Sequence, residues 1–228
     1  MSKKMIIILI FVLIGALLLA FSTEDRQGNF MGQLNDQKFA QTALENYVNY
    51  VLDERTVTNF GFKDLKEAKS AKVGDPISVY YIPLKHLKEY RPETPATKLF
   101  IDPTKLFFPV HVDGEVRTKI EIIQMEGEWV AGEFGGLVFV HLLEDALQKL
   151  PGILKEHTIS KSKTPVLVHV PALQASLLYI DAGDQEYFMT VTIYPERYRL
   201  EDGQLYKAEL LLEIFSEYAQ KIEEGIVD

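Results

Sequence analysis

Five side-chain groupings in the sequence carry types and spacings suited to chemistry. His111, His141 and His169 are the candidate general bases for a hydrolase whose dyad is assembled from residues distant in sequence. His141 also stands three and four residues before Glu144 and Asp145, a spacing that on a helix brings all three to one side as candidate metal ligands. No second ligand pair has a recognisable spacing, so a solvated acidic turn is the simpler reading and no metal or cofactor is expected. The glycine-rich run Gly132-Glu-Phe-Gly-Gly136 lies between a predicted strand and a predicted helix. Backbone N–H groups at such a junction cradle anions, which makes Gly135 and Gly136 ligand-binding candidates. Glu133 repels phosphate there, and the Lys and Ser or Thr of a P-loop are absent.

Ser160 and Lys163 satisfy Ser-x-x-Lys, but in a stretch where Ser and Lys alternate and without the companion motifs of penicillin-recognising enzymes; it reads as a solvated loop. Neither a Gly-x-Ser-x-Gly elbow nor a His-Glu-x-x-His helix occurs. The fifth grouping is aromatic. Tyr80, Tyr81 and Phe107 are binding candidates because Tyr80-Tyr81 and Phe107-Phe108 are adjacent pairs in predicted strands, so large rings face both sides of a sheet. Either helices cover both faces or one aromatic face binds a partner.

The elements that must position these residues follow from periodicity. Positions 40, 43, 44, 47, 48 and 51 are apolar at helical spacing, predicting an amphipathic helix over 36–54 with Asp36 as its N-cap. Residues 77–82 read as a strand ended by Pro83. Strands over 106–112 and 116–125 flank Asp113-Gly114. A two-residue turn there sets Val112 against Glu115 and Val110 against Arg117, mixing charge with the apolar face. A three-residue loop instead pairs Val112 with Val116, Val110 with Thr118, Phe108 with Ile120 and Leu106 with Ile122, so this register is expected. His111, Arg117, Lys119 and Glu121 then share the opposite face. Residues 128–133 add a third strand, and a helix over 135–150 is closed by Pro151-Gly152.

The chain then resembles itself. The stretches 76–84 and 165–173 are both strands bracketed by prolines; a strand over 186–194 and a helix over 204–223 follow the second. The expected fold class is therefore α+β, an antiparallel β-meander packed with amphipathic helices. It is organised either as one domain over 36–228 or as two degenerate αβ repeats, 36–152 and 153–228.

Lys3 and Lys4 precede an unbroken apolar run over 5–21, with Ala20 and Ser22 in a small-x-small arrangement; residues 1–22 are read as a signal peptide or a membrane anchor, and 23–35 as a linker. Both readings place the rest of the chain outside the cytoplasm, periplasmic, secreted or held at the membrane through residues 5–21. A net charge of −9 opposes a phosphate backbone, so nucleic acid is not expected as a partner. The absence of cysteine removes disulfides, thiolate metal sites and cysteine nucleophiles. The functional expectation is an exported, non-catalytic binding or interaction protein of the cell envelope, acting on an unidentified protein or a small apolar ligand. The alternatives are an extracytoplasmic hydrolase and a membrane-anchored assembly or chaperone component.

Overall fold

A computed structural model describes residues 29–192 and 195–222. The predicted signal or anchor, 1–22, lies outside these residues. No helix among the described residues is long and apolar enough to cross a membrane.

The chain opens with helix α1 (Asn29–Tyr50). It begins inside the predicted linker, so Asp36 is an internal helix residue rather than an N-cap. Burial opposes ionisation of its carboxyl and raises its pKa, while a hydrogen bond from Trp129 partly offsets this. A 3-10 turn and α2 (Leu65–Ser70) follow; Asp64 caps α2 by accepting from the Glu67 N–H at 2.7 Å. Then come β1 (Lys72–Val73), β2 (Ile77–Tyr81) and α3 (Leu84–Lys88). Next are β3 (Ile101–Val112), β4 (Glu115–Met125), β5 (Glu128–Gly135) and α4 (Leu137–Glu156). The last third holds β6 (Val166–Val170), β7 (Ala175–Asp181), β8 (Glu186–Thr192), the short α5 (Pro195–Tyr198), β9 (Leu205–Lys207) and α6 (Ala208–Gln220).

All strands join one nine-stranded sheet of order β5-β4-β3-β2-β6-β7-β8-β9, with β1 also on β3. Every pairing is antiparallel except that of β2 with β6, where Val79, Tyr80 and Tyr81 lie beside Leu167, Val168 and His169. The fold is thus α+β with a largely antiparallel sheet, as expected. The two proline-bracketed strands meet at its centre. Each leads through a short helical turn into three antiparallel strands and then a long helix, so the same order of elements is used twice.

The β3–β4 hairpin departs from the expected register in an instructive way. Phe108–Ile120, Leu106–Ile122 and Val110–Thr118 pair as predicted, but Val112 pairs with Glu115 across a two-residue turn. Asp113 and Gly114 both have positive φ, 53° and 83°, the conformation such a turn requires. The extra residue sits at Arg117 as a β-bulge, because His111 pairs with Val116 and Val110 with Thr118. The bulged arginine reaches Glu67 of α2 at 3.2 Å and Glu115 at 2.8 Å. Gly61 makes this approach possible: a Cβ there would stand 2.2 Å from the Arg117 carbonyl oxygen, and its φ is +86°.

Pro109 explains another division. With no N–H to donate, it interrupts the side of β3 away from β4, between the stretch that pairs with β2 and the stretch that pairs with β1; the Gly74 N–H donates to its carbonyl at 2.7 Å. Pro151 does not end α4, contrary to expectation. Its ring is solvent-exposed, and the continued turn places Ile153 and Leu154 against the core. The predicted C-terminal helix likewise starts later, at Ala208, because 205–207 pair with β8. The end of the strand predicted over 186–194 lies outside the described residues at 193–194.

Helices cover both faces of the sheet. On one face, α1 packs over Phe108, Val110, Ile120 and Ile122, and α6 over Val168, Leu177 and Phe188. On the other, α4 buries Val140, Leu143, Ala146 and Leu150 against Val79, Phe107, Leu167, Leu178 and Met189. Each fully buried Val, Leu, Ile, Phe or Met side chain among these contributes roughly 1.5–3 kcal/mol relative to exposure. Covering helices are the first of the two outcomes that adjacent aromatic pairs allowed.

Candidate ligand-binding site

On the face that carries α1 and α6, a recess opens at one end of the central strands β2, β6 and β7. Tyr80 of β2, Val166 of β6 and Tyr179 of β7 lie there side by side, since Val166 is the direct partner of Tyr179 and Tyr80 that of Val168. The segment before β3 brings Thr97 and Phe100 over them, and the segment before β6 brings Lys163 and Thr164. Together with Asp181 these residues line a cleft of about 250 Å³.

The walls are aromatic. The Phe100 ring lies 5.5 Å from Tyr80 and meets Tyr179 edge-on at 5.1 Å and 89°. Such edge-to-face pairs are favoured by the ring quadrupoles and hold the rings in fixed orientations. A polar chain fixes the segment that carries Phe100: the Tyr179 hydroxyl donates to Glu186 at 2.6 Å, and the other oxygen of Glu186 accepts from the Ala96 N–H at 2.8 Å. Burial first, and then the neighbouring Glu186, push the Tyr179 phenol far above its usual range, so it stays a donor. At the mouth, Lys163 Nζ donates to Asp181 Oδ2 at 2.6 Å and the Gly183 N–H donates to Oδ1 at 2.8 Å. The lysine hydrogen bond holds the Asp181 carboxyl below the usual carboxylate range.

Of the aromatic candidates, only Tyr80 lines this cleft. Tyr81 points to the opposite face, beside the His169 ring at 5.8 Å. Phe107 is 1% exposed, under α4 and edge-on to Phe139. Gly135 and Gly136 are at the far end of the sheet. Gly136 has φ +81°, and a Cβ would lie 2.7 Å from the Lys119 Cε, so its role is to let that side chain pass; Gly135 lies against the Phe60 ring. At both positions the missing side chain makes room for a neighbour's packing, and neither glycine lines the cleft. Phe100, Val166, Thr97, Tyr179 and Asp181 were not foreseen as a group.

The histidines are scattered. His141 is exposed on α4, and Asp145 is engaged by Lys149 at 2.5 Å. Among the described residues no group of three or more His, Asp or Glu could hold a metal ion, so His141, Glu144 and Asp145 do not form a site. His111 lies on β3 with its ring against Gly74. His169 is the one with a serine: its Nδ1 is 2.9 Å from the Ser176 Oγ, directly opposite on β7. Burial pushes the imidazole down to about 4.

This pair belongs to a polar row, Tyr81–His169–Ser176–Thr192, running straight across four strands on the α4 face. Beside it is an ionic cluster. Lys105 Nζ stands 2.7 Å from Glu121, whose other oxygen is bonded by Lys119; Lys119 also reaches Glu133 at 2.9 Å. Burial opposes the charge on Glu121, but the two lysines carry its carboxyl below the usual range. Lys119 and Glu121 were placed on this face by the sequence pattern, though their burial under α4 was not.

Fold and cleft define an α+β protein with a mixed nine-stranded sheet and an aromatic-walled recess at one end of its central strands. No protein-family model matches the chain, and no match was found among the curated proteins or the solved structures.

Proposed function

We propose that the chain is an exported binding protein of the cell envelope that takes a small ligand bearing an apolar group in the cleft bounded by Tyr80, Phe100 and Tyr179. The observation that carries this reading is an open recess lined by three aromatic rings that ring packing and the Ala96–Glu186–Tyr179 chain hold in place, with Lys163, Thr164 and Asp181 in the same lining. Preorganised walls reduce the ordering cost of association. Export is supported by the lysine-led apolar run over 5–21. The hydrolase alternative draws on the His169–Ser176 pair, but an imidazole pushed down to about 4 is a weak base at neutral pH. A cross-strand hydrogen bond that stabilises the sheet accounts for the pair.

The test is ligand-observed NMR with benzyl alcohol against the purified protein and against Thr97→Trp, which places an indole at the exposed rim. Saturation transfer with the wild type that is lost in the variant is expected. No transfer, or equal transfer with both proteins, overturns the assignment of the cleft.

A further inference from the structure

Resting on the cleft as a ligand site, we infer that its ligand is a small zwitterion, an α-amino acid with an aromatic side chain. The rings of Tyr80, Phe100 and Tyr179 supply the surface for one flat apolar group, and the volume of about 250 Å³ is below that of pockets for drug-sized molecules. The mouth supplies one charge of each sign, side by side, at Lys163 and Asp181.

The Lys163 side chain is 79% exposed and free to turn toward a ligand, while the Asp181 carboxylate, 22% exposed, keeps its bond from the Gly183 N–H, so a ligand carrying both charges can exchange partners with the pair. Its two members are nonetheless well anchored. The Lys163 N–H donates to the Asp181 carbonyl at 2.9 Å, and the Gly183 N–H fixes the carboxylate. A ligand carboxylate is thereby offered an ammonium, and a ligand ammonium a carboxylate, at the rim of the aromatic walls. The hydroxyls of Thr97 and Thr164, both exposed at this rim, have no protein partner among the described residues and are free to donate to the ligand. A ligand of zero net charge also avoids the repulsion that a chain of −9 imposes on anions.

The experiment compares four probes on the purified full-length protein by ligand-observed NMR titration. They are L-phenylalanine, 3-phenylpropanoate, 2-phenylethylamine and benzyl alcohol. Phenylalanine is expected to bind at least tenfold more tightly than either singly charged analogue. Lys163→Gln should lower its affinity to that of 2-phenylethylamine, and Asp181→Asn to that of 3-phenylpropanoate. If benzyl alcohol binds in a manner blocked by Thr97→Trp and phenylalanine binds no better, the zwitterion inference fails while the cleft assignment stands. If benzyl alcohol shows no transfer, the cleft assignment fails and the zwitterion inference with it.

Discussion

Replacing His169 by Gln tests whether the cross-strand pair beneath α4 is held in its neutral form. The folded imidazole is pushed by burial from an ordinary 6.5 to about 4. The unfolded chain therefore binds more protons than the folded one between these values, and stability must fall as pH drops through that window. At 1.36 kcal/mol for each pH unit, the full gap is at most about 3 kcal/mol, complete above pH 6.5 and gone below pH 4. The Gln variant retains a polar group for Ser176 but has no proton to take up. Its lost packing offsets its stability by a constant amount at every pH, and the acidic groups away from the pair titrate alike in the two proteins. The assay is urea unfolding of both proteins at half-unit steps from pH 7.5 to 4, reading the difference in free energy. The wild type is expected to lose up to about 3 kcal/mol relative to the variant as pH falls from 6.5 to 4. Parallel curves, or a His169 Cε1–H resonance that titrates near 6.5, would falsify the buried, neutral assignment.

Two further outcomes are expected. Glu121→Gln, which leaves Lys105 without its carboxylate and Lys119 with Glu133 alone, should lower the urea midpoint by the equivalent of about 3 kcal/mol, whereas the triple change Lys105→Met, Lys119→Met, Glu121→Met should cost less; a triple variant less stable than the single one would contradict this. Expression with the native N-terminus in a bacterial host, followed by intact-mass measurement and fractionation, should show loss of the first 22 residues and release into the soluble envelope fraction. Full-length protein in the membrane would instead mark residues 5–21 as an anchor.

The meander was legible because 106–125 alternate cleanly and Asp113-Gly114 and Glu126-Gly127 are turn formers; Glu126 and Gly127 do adopt positive φ, 53° and 89°. What pattern alone could not apportion was the extra residue between the strands, since a longer loop and a bulge yield the same pairing beyond it. The choice went to the bulge, where the displaced residue, Arg117, gains a carboxylate on α2. Strand β7 gave no alternation to read because Leu177, Leu178 and Ile180 are all fully buried, with helices over both faces. The cleft was hidden for a different reason. Tyr80, Phe100 and Tyr179 belong to separate segments, brought together by the β2–β6 and β6–β7 pairings, and local periodicity carries no information about which strands become neighbours. Phe100 also sits in a stretch without periodicity.

The parallel seam of β2 and β6 has a consequence for how the molecule is made. Its partners, such as Tyr80 and Val168, are about 90 residues apart, so the seam demands a long loop closure that no local contact rewards in advance. Until β6 arrives, β2 presents an open parallel edge at what will be the middle of the sheet, and only its antiparallel side is occupied by β3. A chain halted after α4 would therefore carry a nearly complete meander with a sticky flank. Docking of β6 covers that flank, and its rate sets the interval during which the half-built sheet is open to self-association.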